Sequence, residues 1–82
     1  MNTMRMSTVP YMDFVEPMIL KILRLSDIPM STLSINYRVN EKAKKTINLN
    51  VIKSNLSFLV TQKKISEKTD KENGIVYYRL VL

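Results

Sequence analysis

The chain contains one glycine, Gly74, and it follows Asn73. Both residues tolerate positive φ, so the dipeptide is a strong hairpin-turn signal. The flanking runs agree with it. Ile65 to Thr69 and Ile75 to Val81 read as strands, with Val76, Tyr78 and Leu80 alternating onto one face and Tyr77, Arg79 and Val81 onto the other.

Length and composition bound the rest. Eighty-two residues make one small domain, and a chain of that size buries only roughly 60–65% of its unfolded surface. An apolar fraction of 45% is that of a globular protein. There is neither Cys nor His. Disulfides and thiolate metal sites are therefore excluded, and a zinc site would have to be all carboxylate. We expect no metal and no cofactor. No apolar run approaches the roughly 18 residues that span a bilayer, and no continuous apolar stretch follows Arg5 as in a signal peptide. The expectation is an intracellular protein, cytoplasmic or otherwise, without a membrane partner. An enzyme is not expected either. The common general bases and nucleophiles are missing, the seven carboxylates are scattered among lysines, and a single glycine builds no phosphate-cradling loop.

Three helices are expected before the hairpin. Residues 1–10 read as a flexible or lightly docked arm and residues 11–82 as the domain. The first helix lies near residues 13–25. Asp13 and Glu16 are spaced as in a capping box, and Pro17 suits a first turn, which moves the start towards Glu16. Val15, Met18, Ile19, Ile22 and Leu23 form its apolar stripe. Ile28-Pro29-Met30 is extended and suits a short strand at a sheet edge. Ser31 reads as the N-cap of a second helix over about residues 32–40, with Leu33 and Tyr37 expected inward and Ile35 a further candidate. Residues 41–46 are a lysine-rich connection or the last turn of that helix. The third helix is the clearest. Ile52, Leu56 and Leu59 fall on one side, Asn50, Ser54, Ser57 and Thr61 on the other, and Lys53 on the flank. Asn48 or Asn50 caps it, and it finishes near residues 62–64.

Charge divides the chain. Residues 1–41 carry four basic and four acidic side chains, and residues 42–82 carry nine and three, so the whole net +6 lies in the second half. Such a balance favours an anionic partner.

Leu56 and Leu59, Lys63-Lys64, Ile65, the charged turn from Asp70 to Gly74 and the return strand Tyr77-Tyr78-Arg79-Leu80 resemble the winged helix-turn-helix family over about residues 13–82. The resemblance implies a small α+β fold, a winged helix-turn-helix of three helices followed by a two-stranded β-hairpin wing. It implies sequence-specific binding of double-stranded DNA by a small transcriptional regulator, with the third helix in the major groove. Asn50, Lys53, Ser54 and Ser57 are then the base-side candidates, since Asn suits adenine, Lys guanine, and Ser either. Lys42, Lys44 and Lys45 would anchor the backbone ahead of that helix. Lys68 and Lys71 would be wing contacts, opposed by Asp70 and Glu72 in the same turn. Two features depart from the family. Lysine stands where many members have glycine before the isoleucine, which makes a left-handed helix end harder. The connection between the second and third helices is also longer than a tight turn.

Tyr77 and Tyr78 fit cross-strand packing better than base stacking. The rival reading is a protein-interaction winged helix within a larger assembly, supported by Phe58 and Val51 off the main apolar stripe. A homodimer through the N-terminal arm and the first helix is a separate expectation.

Overall fold

The computed structural model describes residues 11–81, and the arm expected at residues 1–10 lies outside them. The elements run α1 (Met12–Leu25), β1 (Met30–Ser31), α2 (Thr32–Ala43), α3 (Leu49–Thr61), β2 (Ile65–Thr69) and β3 (Val76–Leu80). This is the expected α+β winged-helix arrangement, with the sheet enlarged to three strands in the order β1-β3-β2. Each helix buries one apolar stripe in a common core.

In α1 the stripe forms as expected, with Val15, Ile19, Ile22 and Leu23 buried and Met18 packed against them. The start is different. The helix opens at Met12 behind Tyr11, which is left-handed at φ 56, and no side chain caps it. Glu16 therefore sits in the second turn, too far in to close a capping box with Asp13. Pro17 is inside the helix. Its missing N–H leaves the Asp13 carbonyl without a helical donor, and both residues are exposed, so water can satisfy it.

In α2 the Ser31 cap is present, accepting a hydrogen bond from the Ser34 N–H at 3.2 Å. The helix continues to Ala43 and takes the start of the lysine-rich connection into its last turn. The inward assignment of Leu33 and Tyr37 is overturned. Ile35 and Val39 are fully buried, whereas Leu33 and Tyr37 are 68% and 66% exposed. Two positions along a helix turn the side chain by about 200°. Once Ile35 and Val39 fill the core, positions 33 and 37 must face outwards.

In α3 Asn48 is the cap, accepting from the Asn50 N–H at 2.7 Å. Ile52, Leu56 and Leu59 are buried as expected. So is Asn55, whose side-chain amide donates to the Val51 carbonyl at 2.8 Å. The helix ends at Thr61, slightly early, and its close uses lysine in place of glycine. Lys63 has φ 62. Its N–H donates to the Val60 carbonyl at 2.9 Å, and the Lys64 N–H to the Leu59 carbonyl at 3.0 Å. These are the two bonds of a Schellman close.

The edge strand foreseen near Ile28-Pro29-Met30 is β1, and it pairs Met30 with Tyr78 and Ser31 with Tyr77. The hairpin pairs Ile65 with Leu80, Ser66 with Arg79, Glu67 with Tyr78, Lys68 with Tyr77 and Thr69 with Val76. Its loop is closed by the Asp70 N–H donating to the Ile75 carbonyl at 2.8 Å and the Gly74 N–H to the Asp70 carbonyl at 2.7 Å. Only Gly74 of the Asn-Gly pair has positive φ. Asn73 contributes through its side chain, which accepts from the Ile75 N–H at 2.8 Å.

Two left-handed positions occupied by opposite residue types give opposite expectations. A side chain in this region costs roughly 1–2 kcal/mol, and glycine loses part of that gain to its freer unfolded chain. Lys63→Gly should therefore raise stability by about 0.5–1 kcal/mol, and Gly74→Ala should lower it by about 1 kcal/mol. Thermal unfolding by circular dichroism measures both. A Lys63→Gly protein that melts no higher would contradict the cost assigned to Lys63.

Candidate nucleic-acid interface

The segment between α2 and α3 fixes how α3 is presented. It spans residues 44–48 and contains no glycine, consistent with the longer connection expected. Three contacts pin it. The Ile47 side chain is buried in the core. Its N–H donates to the Asn40 side-chain oxygen at 2.6 Å, and its carbonyl accepts from the Asn36 side-chain amide at 3.1 Å. Asn40 also donates to Asn36 at 3.4 Å. Two asparagines one turn apart on α2 thus hold both backbone groups of one residue, one position before the α3 cap.

The polar side of α3 is presented beyond this clamp. Asn50, Lys53, Ser54 and Ser57 are all exposed and fall within an arc of about 100° on the helix. Lys53 is the one charged residue of α3, so no acid opposes it on the helix. Lys53 and Ser57 share a shallow groove with Ser31, Thr32 and Leu33 at the start of α2 and with Ile75, Val76 and Tyr78 of the hairpin. The α2 start was not foreseen as part of this surface. The Ser31 N-cap signal was the available hint.

The three lysines ahead of α3 have separate settings. Lys42 lies on the rim of a groove between α1 and α2, with Arg38 and Tyr37. Lys44 is exposed and left-handed at φ 57, closing α2. The Lys45 ammonium sits 4.9 Å from the Phe14 ring centre and 5.9 Å from that of Tyr11, within cation–π range. Lys64 forms an ion pair with Glu16 of α1 at 3.6 Å. Because Lys64 is half exposed, that pair contributes well under about 1 kcal/mol.

The hairpin register separates the wing candidates from α3. Ile65, Tyr78 and Leu80 lie on the core side of the sheet. Side chains alternate along a strand, so Lys68, Tyr77, Ser66 and Arg79 lie on the outer side. Lys71 joins Lys68, Tyr77 and Arg79 around an outer concavity. The Lys53 groove, with Val76 and Tyr78, belongs to the opposite side. Arg79 was not among the expected contacts, although its alternation with Tyr78 was readable.

The apolar residues cited for the rival reading are largely covered. Val51 packs against the core, and Phe58 is half buried. Exposed apolar surface is concentrated elsewhere: Leu25, Ile28, Leu33 and Tyr37, each more than 60% exposed, line the groove between α1 and α2. Among the described residues no three carboxylates come together to hold a metal, and no helix is long and apolar enough to cross a membrane.

Solved structures share this fold. The chain is similar to the ferric uptake regulator Fur of Helicobacter pylori, a protein with three functional metal-binding sites, at a TM-score of 0.72 and 21% identity over 80% of this chain and 43% of that one. It is similar to the transcriptional regulator Cth-833 of Clostridium thermocellum at a TM-score of 0.73 and 19% identity, over 94% of this chain and 75% of that one. The chain thus spans less than half the length of the Helicobacter protein. No protein-family profile matches it, and no curated protein matches it significantly. At these identities the likeness establishes the fold.

The clamp yields a sharp expectation. Asn40→Ala leaves the Ile47 N–H without its acceptor in a part-buried site, which costs about 1–3 kcal/mol. Asn40→Asp keeps an acceptor and should lose much less. Chemical denaturation of the two variants measures the difference, and equal losses would show that the Ile47 bond is not the source.

Proposed function

We propose that the chain binds double-stranded DNA sequence-specifically as a small transcriptional regulator, with α3 in the major groove. The observation that carries this reading is the exposed arc of Asn50, Lys53, Ser54 and Ser57 on a helix whose only charge is positive. Those side chains have the donors and acceptors that base edges require. The α2–α3 clamp supports the reading physically, because base readout needs a helix held at a fixed angle. Lys53 has the strongest role, gaining phosphate contact even where it reads no base. Lys42 and Lys44 serve as backbone anchors. Lys45 contributes its field from beside Phe14 and Tyr11. Lys68 and Lys71 contact phosphate from the outer side of the wing, away from the duplex along α3. The two similar regulators lend support through shared fold.

The exposed groove of Leu25, Ile28, Leu33 and Tyr37 favours protein contact as a second reading. Contiguous apolar surface of this kind marks interaction sites. It suits a homodimer or a partner protein, and its place on α1 overlaps one of the two surfaces expected for dimerisation.

Two measurements test the DNA reading. If about six phosphates are neutralised, the affinity should fall with a log–log salt slope of about −5, and a flat dependence from low to moderate salt would sink it. Lys53→Ala should weaken binding by about 1 kcal/mol or more, roughly fivefold in a gel-shift titration. Unchanged affinity would remove Lys53 from the interface.

A further inference from the structure

We propose that the outer face of the sheet is a second phosphate-binding surface, so that one molecule holds two segments of double-stranded DNA. The inference rests on the DNA-binding reading and extends it. Its basis is the hairpin register. Lys68 stands opposite Tyr77, and Arg79 opposite Ser66, which makes the two cations diagonal neighbours on one face. Like charges so placed repel. Glu67, the acid of β2, pairs with Tyr78 and therefore faces the other side. Asp70 is engaged in the turn, where its carboxylate accepts from the Glu72 N–H at 2.8 Å.

A lysine on an edge strand also deters strand pairing, and β2 is an edge. That accounts for Lys68. It does not account for Arg79, which lies on the central strand β3. Both cations, with Lys71, border one concavity that Ile28, Pro29 and Tyr77 also line, and its three cations outnumber the two acids there, Glu67 and Asp70. An excess of cations there fits a sugar-phosphate backbone, with the guanidinium taking phosphate oxygens bidentately. Lys53 and Ser57 share their groove with residues of the opposite sheet face. A duplex lying along α3 therefore leaves the outer cations free for another.

A bridging assay tests this. One short duplex is fixed to beads, a second of unrelated sequence carries a fluorophore, and retention of the second is measured against protein concentration. The wild-type chain should retain it. The pair Lys68→Glu with Arg79→Glu should abolish retention while lowering affinity for the fixed duplex far less, through the long-range field alone. The milder Lys68→Gln with Arg79→Gln should weaken retention in the same direction with smaller structural disturbance. If the variants lose single-duplex affinity in step with retention, the outer cations touch the same duplex as α3 and the proposal fails. If retention survives both variants, bridging comes from protein self-association and the proposal again fails. If the wild-type chain binds the fixed duplex but retains no second one, the inference alone is overturned. Absence of any duplex binding overturns the DNA reading and this inference with it.

Discussion

The presentation of α3 depends on how α2 holds Ile47. A helix-turn-helix unit needs a fixed angle between its two helices, and a tight turn usually supplies it. Here the connection is longer, and the constraint comes from side chains. Asn36 and Asn40 occupy both backbone groups of Ile47, while the Ile47 side chain enters the core. Apolar burial alone would fix where the connection runs but not its rotation. The two hydrogen bonds add direction, and Asn48 then starts α3 one residue later. Core, clamp and cap act in series, so an error at the clamp would be carried along the whole of α3.

Charge is organised around that frame in two separate regions. The polar arc of α3 carries a single cation close to neutral donors. The outer sheet face carries cations without an acid among its cross-strand pairs. Between them lies the core side of the hairpin, where Tyr78 and Leu80 pack. A net charge of +6 thus conceals two surfaces with different chemistry. Lys64 belongs to neither, because its ammonium pairs with Glu16 of α1.

Much of the fold was legible where period and turn chemistry agreed. The α3 stripe, the Ser31 cap, the edge strand near Met30 and the hairpin all follow from local pattern. The four α3 candidates are also where the helical period puts them. The failures have a common cause in tertiary choice. In α2, Leu33 with Tyr37 and Ile35 with Val39 are competing apolar pairs at the same spacing, and which pair turns inward depends on the rest of the core. In α1, Pro17 suggested a late start, but an exposed carbonyl can bond to water, so the helix begins earlier. The clamp was hidden because asparagine at residues 36 and 40 reads as poor helix propensity until its partner eleven or seven residues away is known. Register likewise requires the loop length before it can divide the wing lysines from α3.

Lys44 and Lys63 are both left-handed and lie on either side of α3. Glycine would relax the backbone at each position and would remove a cation at the same time. Local strain and electrostatic field are therefore coupled at single residues. A protein that keeps lysine there carries a standing conformational load wherever it keeps its charge. Shorter or longer cationic side chains would not escape it, since the load arises at Cβ. The helix that bears the polar arc is thus bounded by residues at which no natural substitution can improve backbone geometry and retain the charge.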